Sequence, residues 1–397
     1  MPQERVVIVG AGVIGCSIAY HLAQQGVPSQ VVERDGIAAR ASGKAWALWA
    51  YPPNLLMMEG QHPDLLFSMP KGTMRSWLEL FWLGYHRLPD VALDLKEKGG
   101  IDVGYGELPS ITVALSESEE KSYKEILSFI RNEGYYEGSW LEVDDLRAIY
   151  PDITPQARGG LVFPCLQVEP YEYTLGLAQA AEKMGASLRQ GEVVGFRHKG
   201  SRVTSVIFAS GREVETDVVV LAMGPWSGLG TSWLGREIPI WVSREQCLRV
   251  QPPERLPPFW LSASTGVAII PKVNGTVILG HAGVPDYQPN FDSSLTEKVK
   301  VELMESVIAL LPRLADAKLI EHRGDLEGWA LPPNRIQPVL GRLPEWDNAY
   351  IAARMGTLGM MLSLGIGRVT ADLIAAGGRI PYRLKTMMEV LSPARLE

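Results

Sequence analysis

The feature that most constrains the fold of this chain is the stretch at residues 6–35, which reads VVIVGAGVIGCSIAYHLAQQGVPSQVVERD. The β-branched run at 5–9 predicts a buried strand. Small and apolar residues at helical spacing then follow Gly10, Gly12 and Gly15 and continue to Gly26. A second apolar run at 30–32 ends at Glu33. The order strand, glycine-rich turn, helix and strand predicts the first unit of a parallel α/β sheet.

The glycine spacing in this stretch indicates a bound dinucleotide. Gly10 permits the tight turn, Gly12 lets the backbone approach a pyrophosphate, and Gly15 lets the helix pack on the strand. The pyrophosphate would lie at the helix N-terminus, where free N–H groups favour negative charge. Glu33 would accept hydrogen bonds from the ribose hydroxyls of the adenosine half and repel a 2′-phosphate. This motif alone does not choose between FAD and NAD.

Length, charge and cysteine content bound the class of protein. A chain of 397 residues is too long for one compact core and predicts about two domains. The net charge is −7 and the Lys and Arg residues are dispersed, so we expect no nucleic-acid partner. We expect no membrane span and no signal peptide, because no apolar run has the length or flanks of either. Three distant cysteines without a CxxC pair predict no disulfide framework and no metal site, and indicate a cytoplasmic protein.

Later segments carry a resemblance to a known family. The stretch REVETDVVVLAMGPWS places an apolar strand before Gly224, and residues 349–377 read as a strand, a glycine-rich loop and a helix. No second GxGxxG unit follows the first. With ARASGKAWAL at 39–48, LEVDDLRAIYPDI at 141–153 and GEVVGF at 191–196, the chain resembles the D-amino-acid-oxidase-like family of FAD-dependent oxidoreductases, which includes glycine oxidase and monomeric sarcosine oxidase. The resemblance covers nearly the whole chain and implies FAD. We expect FAD to be held non-covalently, because no cysteine lies near the family's tethering position.

The resemblance also implies an α/β architecture with two domains. A Rossmann-type FAD-binding domain would comprise residues 1–75, 150–230 and 325–397, and an antiparallel-sheet substrate domain would comprise 76–149 and 231–324. The residues themselves predict strands at 110–116 and 243–251 and an amphipathic helix at 295–311. The dipeptide Asn274-Gly275 between apolar runs predicts a hairpin.

The family's FAD contacts can be transferred residue by residue. The resemblance assigns the pyrophosphate to the first glycine loop, and the ribose and adenosine to residues after the second strand and near 194. It assigns the approach to the flavin to a small-residue loop, a second FAD-contacting turn to residues near 224, and the flavin carbonyl to backbone N–H groups near 359. The residues in this order are Gly10, Ala11, Gly12, Val13, Ile14 and Gly15; Glu33, Arg34 and Val194; Ala41, Ser42, Gly43 and Lys44; Ala222 and Gly224; and Leu358, Gly359 and Met360.

The substrate site departs from the family pattern. The arginine that binds the substrate carboxylate in amino-acid oxidases of the family aligns with Ala330, or with Leu331 if a gap is allowed, and neither side chain binds an anion. Met355 and Ile278 stand where relatives have a histidine and a basic residue. The resemblance therefore does not identify the substrate.

Five residues remain as the main substrate-site candidates. His281 follows a strand whose end faces the flavin in the family, and it would orient a substrate amine or accept its proton. Arg335 and Arg354 are alternatives for a relocated carboxylate anchor. Trp46, with Trp49, would line the substrate site beside the flavin. An aromatic group at 77, 82 and 85 and a Pro- and Met-rich lid at 51–72 would lie nearby.

The chemistry implied is oxidation of a carbon–nitrogen single bond in an amine or amino-acid-like substrate, with hydride transfer to flavin N5 and hydrolysis of the resulting imine. An FAD-dependent 2-hydroxy-acid dehydrogenase is an alternative, as is the FAD subunit of a hetero-oligomeric dehydrogenase. The electron acceptor, whether O2 or a quinone or dye, stays open, and so does assembly into a homo-oligomer.

Overall fold

The described strands form two large sheets and two small ones of three strands each. A computed structural model describes residues 5–52, 71–132, 134–281, 286–330 and 338–396, with the backbone alone at 71–77. The strands are β1 (Val6–Val9), β2 (Ser29–Glu33), β3 (Leu48–Ala50), β4 (Gly106–Glu107), β5 (Ser110–Val113), β6 (Ser139–Glu142), β7 (Gly159–Phe163), β8 (Cys165–Gln167), β9 (Ser187–Gln190), β10 (Val193–Lys199), β11 (Arg202–Phe208), β12 (Glu213–Glu215), β13 (Val218–Leu221), β14 (Trp241–Gln251), β15 (Trp260–Ala263), β16 (Val267–Pro271), β17 (Val277–His281), β18 (Asp286–Tyr287), β19 (Lys318–Trp329), β20 (Val339–Arg342) and β21 (Ala349–Ala353).

The α-helices lie mostly between strands of the first large sheet or over the second. They are α1 (Val13–Gln24), α2 (Ala41–Lys44), α3 (Lys71–Tyr85), α4 (Leu88–Asp94), α5 (Glu117–Asn132), α6 (Val143–Ile149), α7 (Pro170–Lys183), α8 (Ser227–Ser232), α9 (Glu297–Leu310), α10 (Gly359–Ala375) and α11 (Lys385–Leu391). Two single turns of 3-10 helix, Gly224–Trp226 and Gly356–Leu358, follow β13 and β21.

The first large sheet has the strand order β20-β21-β13-β1-β2-β9. Every neighbouring pair is parallel except β20 with β21. Successive side chains of β1 point to opposite faces of the sheet, as in any pleated strand. Val6 and Ile8 pack in one core with α1, α7 and α10, while Val7 and Val9 pack in another with β10 and β11. The predicted parallel α/β unit is therefore confirmed.

The second large sheet has the order β18-β14-β17-β16-β15-β5-β7-β6, with β19 also paired to β14. It is antiparallel except where β15 pairs with β5, and α9 packs on it through Leu303, Val307 and Leu310. The strands predicted at 110–116 and 243–251, the helix at 295–311 and the hairpin at Asn274-Gly275 are all present. Gly275 takes the left-handed φ of 87° that this turn needs.

Two strands do not follow the predicted domain boundaries. β7 lies within the 150–230 segment assigned to the FAD-binding domain, but it pairs with β5 and β6 in the second sheet. β19 crosses the boundary predicted at 325. Both differences have the same cause, since strand partners far along the chain leave no local sequence signal. The exact domain limits stay a prediction.

One helical stretch in the described part of the chain, Gly356–Ala375, is long and apolar enough to cross a membrane. Within it, 78% of the apolar window is buried inside the molecule, which is the behaviour of a core helix. All three cysteines, at 16, 165 and 247, are buried and free.

Candidate functional site

A cavity opens at the carboxyl ends of the parallel strands of the first sheet. The residues that follow β1, β2, β13 and β21 line it, and Leu326, Glu327 and Gly328 of β19 close it on the side of the second sheet. Ligands of open α/β sheets bind at this edge, because the strand ends and the helix N-termini meet there. The fold therefore places the predicted dinucleotide motif at the mouth of a pocket.

The glycine loop between β1 and α1 leaves no room for side chains. Gly10 has a φ of 109°, and a Cβ there would lie 2.4 Å from the carbonyl oxygen of Ala222. A Cβ on Gly15 would lie 1.9 Å from the carbonyl oxygen of Gly10. The first turn of α1 has no acidic residue, and Gly12 at its N-cap supplies no side-chain cap. The helix N-terminus is thus open to an anion in the cavity.

Glu33 is held in the cavity by the backbone around it. Its Oε2 accepts a hydrogen bond from the N–H of Ala11 at 2.8 Å, and its Oε1 accepts one from the N–H of Asp35 at 2.9 Å. Each carboxylate oxygen keeps a lone pair for a further donor. The half-buried carboxylate is therefore oriented to receive hydroxyl groups.

Two arginines lie against the ring of Trp226 at the cavity wall. The guanidinium carbons of Arg34 and Arg40 lie 4.6 and 5.6 Å from the ring centroid, and Phe291 stacks on the same tryptophan at 5.7 Å. Asp35 accepts hydrogen bonds from both arginines, and the bond from Arg40 chiefly lowers the pKa of that carboxyl. Sequence reasoning missed Arg40 and Trp226, although Trp226 stands two residues after Gly224 in a stretch that it singled out.

Most of the predicted cofactor residues line this cavity. Those that do are Gly10, Gly12, Val13, Ile14, Glu33, Arg34, Ala41, Ser42, Val194, Ala222, Gly224, Gly359 and Met360. Ser42 also accepts a hydrogen bond from the N–H of Val13 at 2.9 Å, so its hydroxyl already serves the first turn of α1.

The other predicted cofactor residues, Ala11, Gly15, Gly43, Lys44 and Leu358, do not line the cavity. Gly15 and Gly43 contribute by close packing, since a Cβ on Gly43 would lie 2.2 Å from the carbonyl oxygen of Ala38. Lys44 is directed elsewhere, because its ammonium bonds the fully buried carboxylate of Asp325 at 2.6 Å and the carbonyl of Gly324 at 3.1 Å. The buried carboxylate of Asp325 on the second sheet therefore binds the ammonium of Lys44, which the resemblance had assigned to the approach to the flavin.

Trp46 packs on the end of β17, the strand whose last residue is His281, and neither residue lines the cavity. The indole of Trp46 covers Gly280, where an added Cβ would lie 2.1 Å from the ring. Half-buried His281 is the next residue along that strand. Trp49 does not meet the expectation made for it, because it is buried in the core and packs edge-on against Tyr173 at 5.2 Å.

Other predicted substrate-site features fall partly outside the described residues. Arg335, Leu331 and residues 53–70 of the expected lid lie there, and the side chain at 77 is not described. Trp82 and Tyr85 form an aromatic cluster with Tyr51. The positions where relatives carry polar groups are buried here as Ala330, Met355 and Ile278.

Arg354 does line the cavity, directly after β21. It is 3% exposed, has a left-handed φ of 66°, and donates from Nη2 to the carbonyl oxygen of Ala330 at 2.8 Å. Burial, followed by the nearby charge of Arg395, lowers the pKa of this guanidinium to about 10. Within the described residues, Nε and Nη1 have no hydrogen-bond partner.

Buried cations of the second sheet hold the loop at 44–46 in place. Lys272 donates to the carbonyl oxygens of Trp46 at 3.2 Å and Val168 at 2.6 Å, and Arg323 donates to that of Ala45 at 3.2 Å. Because Lys272 is buried, its pKa is lowered from the ordinary 10.5 to about 8. Its ammonium is thus a titratable link between the loop and the second sheet.

This shift predicts a pH-dependent stability. Between about pH 8 and 10.5 the unfolded chain binds a proton at Lys272 that the folded chain has lost, so the free energy of unfolding rises with pH in that interval. The neutral amine keeps two N–H groups for its two acceptors. The free energy of unfolding in urea is measured for the wild type and for Lys272→Met. The wild-type value, taken relative to that of the variant, should increase by about 2 to 3 kcal/mol from pH 7 to pH 10. If the two proteins differed in their free energy of unfolding by the same amount at pH 7 and at pH 10, the lowered pKa of Lys272 would be refuted.

Comparisons with known proteins agree with this geometry. The model of the DAO family, described as FAD dependent oxidoreductase, matches residues 5–373. The chain is 25% identical over 372 residues to a glycine oxidase of Geobacillus kaustophilus, covering 93% of this chain and 92% of that protein. It is 25% identical over 419 residues to a D-amino acid dehydrogenase of Xanthobacter autotrophicus, covering 95% and 96%. The crystal structure of a glycine oxidase from Bacillus cereus superposes with a TM-score of 0.83 at 25% identity, covering 100% of both chains.

Proposed function

The chain belongs to the DAO family of FAD-dependent oxidoreductases, and on that premise we propose that it oxidises the carbon–nitrogen bond of an amine or amino-acid-like substrate. Family membership confirms the predicted cofactor, FAD, and the enzyme class. The observation that carries the finer proposal is the match along nearly the whole chain to proteins named for oxidation of glycine and D-amino acids. A cytoplasmic location and an acceptor that is O2 or a quinone or dye belong to the same proposal.

The residues around the cavity fit FAD from one end to the other. The open N-terminus of α1 and the backbone at Gly12 suit the pyrophosphate. The carboxylate of Glu33 suits the ribose hydroxyls, and the guanidinium of Arg34, which lies on Trp226, suits the adenosine. The backbone N–H groups at the start of α10, near Gly359, suit the flavin carbonyl.

FAD, when bound, accepts the hydride that leaves the substrate carbon next to nitrogen. The neutral amine loses two electrons and that hydrogen as a hydride, its carbon–nitrogen single bond becomes the double bond of a protonated imine, and water then hydrolyses this product to a carbonyl compound and an ammonium ion. The role of the protein is to hold the amine deprotonated, to orient its C–H bond and to exclude water. The N-terminus of α10, whose first turn has no acidic residue, favours negative charge beside it. His281 is the side chain that we propose takes up the amine proton.

Anaerobic mixing of the holoenzyme with a substrate panel tests this function. The panel comprises amines, N-methyl amino acids, D-amino acids and 2-hydroxy acids, and the loss of visible flavin absorbance is followed. We expect at least one nitrogen-containing class to bleach the flavin and the hydroxy acids to leave it oxidised. Bleaching by hydroxy acids alone would overturn the proposal in favour of a 2-hydroxy-acid dehydrogenase. In the same experiment, an unchanged reduction rate in His281→Ala would remove that residue from the chemistry.

A further inference from the structure

We propose that Phe291, on the loop that follows β18, is a positioning residue for FAD, which it helps to retain by supporting the Trp226 ring in the cavity wall. Trp226 lines the cavity after β13 of the first sheet, whereas Phe291 comes from a loop of the second sheet and does not line the cavity. The two rings stack with their centroids 5.7 Å apart and their planes 18° from parallel. This separation lies within the range in which aromatic pairs attract each other. The stack therefore connects the nucleotide cavity to the second sheet.

The ring of Trp226 also bears on the positions of two cations in the cavity wall. The guanidinium carbons of Arg34 and Arg40 lie 4.6 and 5.6 Å from its centroid, and both arginines line the cavity. Attraction between a cation and an aromatic face depends on the orientation of the ring. Arg34 directly follows Glu33, and the resemblance assigns both to the adenosine half of FAD. A Trp226 ring that changed its orientation would therefore disturb that part of the wall.

The loop that carries Phe291 is fixed on both sides of the phenyl ring by one arginine of β14. Arg244 donates to the carboxylate of Asp286, which precedes the ring, at 2.7 Å. It also donates to the carboxylate of Asp292 at 3.2 Å and to the carbonyl oxygen of Ser294 at 2.7 Å, which both follow the ring. The Arg244 side chain is largely buried, although its two carboxylate partners are half-exposed. The phenyl ring is therefore presented to its partner by an anchored loop.

Neither backbone preference nor burial explains a phenylalanine at position 291. Its φ of 57° lies in the left-handed region, which is unfavourable for a residue with a Cβ and suits glycine. The residue is 39% exposed, so its ring gains only part of the stabilisation of a buried side chain. Strained residues of this kind persist where the surrounding structure holds them, often at ligand-binding sites. The stack on Trp226 supplies a reason for the side chain.

Release of FAD from the holoenzyme tests the proposal without turnover. The holoenzyme is diluted, and unbound FAD is separated by rapid filtration at intervals and measured by its fluorescence. We expect Phe291→Ala to release FAD about 3- to 10-fold faster than the wild type, the effect of losing one aromatic pair. Phe291→Tyr, which keeps the ring, should release it within about twofold of the wild-type rate. The matched control is Tyr382→Ala, which removes a ring that is 93% exposed and lies outside the loop, and its rate should equal that of the wild type.

Two further variants show whether the phenyl ring acts through Trp226. In a Trp226→Ala background, Phe291→Ala should change the release rate by less than about twofold, because the partner ring is gone. Phe291→Gly relieves the left-handed strain and should still release FAD as fast as Phe291→Ala. The proposal is overturned if Phe291→Ala releases FAD at the wild-type rate, if Phe291→Tyr fails to restore that rate, if Phe291→Gly restores it, or if the substitutions at 226 and 291 have additive effects. FAD release is measured without substrate, so these outcomes are independent of which substrate class bleaches the flavin.

Discussion

Replacing Gly15 by alanine is expected to abolish retention of FAD. Alanine is the better helix former, so propensity alone would favour the variant at this position in α1. The added methyl group would nevertheless lie 1.9 Å from the carbonyl oxygen of Gly10, in a loop that has no room for a Cβ on Gly10 either. Relief requires the glycine loop to move away from β1, and overpacking of this kind costs about 3 kcal/mol or more. FAD affinity should fall by at least about 100-fold, as measured by cofactor fluorescence after gel filtration.

The matched control is alanine at the other end of the same helix. Gly26 also has a left-handed φ, of 72°, but no atom of the described residues lies within 4 Å of the position that a Cβ would take there. Gly26→Ala should cost about 1 kcal/mol of stability through backbone strain and leave FAD binding intact. A Gly15→Ala protein that holds FAD as tightly as Gly26→Ala would show that the close contact does not shape the nucleotide site.

Removing the ammonium of Lys44 is expected to destabilise the fold strongly. Its partner Asp325 has a fully buried side chain, whereas Lys44 is about one-third exposed. Lys44→Met leaves a carboxylate in the interior with the N–H of Leu326 as its remaining donor in the described structure. Breaking a buried pair from one side costs about 3–5 kcal/mol, and the partial exposure of the lysine places this case near 3 kcal/mol. Urea unfolding of the holoenzyme at neutral pH measures the loss.

One comparison separates the loss of a buried ion pair from the loss of an exposed one. Lys298→Met breaks a pair with Glu302 in which both side chains are exposed, and it should cost less than about 1 kcal/mol. A deficit no larger than that of the surface variant would contradict a structural role for the Lys44–Asp325 pair.

Local sequence patterns predicted those parts of the site that are built from neighbouring residues. The strand, glycine turn and helix around Gly10, with Glu33 at the end of the next strand, form a contiguous unit whose spacing has one physical explanation. The hairpin at Asn274-Gly275 was predictable for the same reason, since a two-residue turn needs particular residues.

The remainder depends on contacts between distant segments, which have no local signature. Trp46 and Trp49 lie in one short loop, yet one covers Gly280 and the other enters the core beside Tyr173. Which tryptophan faces which way is decided by the pairing of β3 with β8. The partner of Lys44 lies 281 positions away on the other sheet, so sequence reasoning could assign the lysine only by resemblance.

The order of strands in the first sheet has a consequence for synthesis on the ribosome. β1 precedes by a long stretch of chain the strands β20 and β21, which form the edge of its sheet and the cavity wall at Arg354. Chains grow at about 5–20 residues per second, so the glycine loop waits many seconds for its final neighbours. The wall of the nucleotide cavity is therefore completed only after those strands are made, whereas β1 itself pairs earlier, with β2 and then with β13.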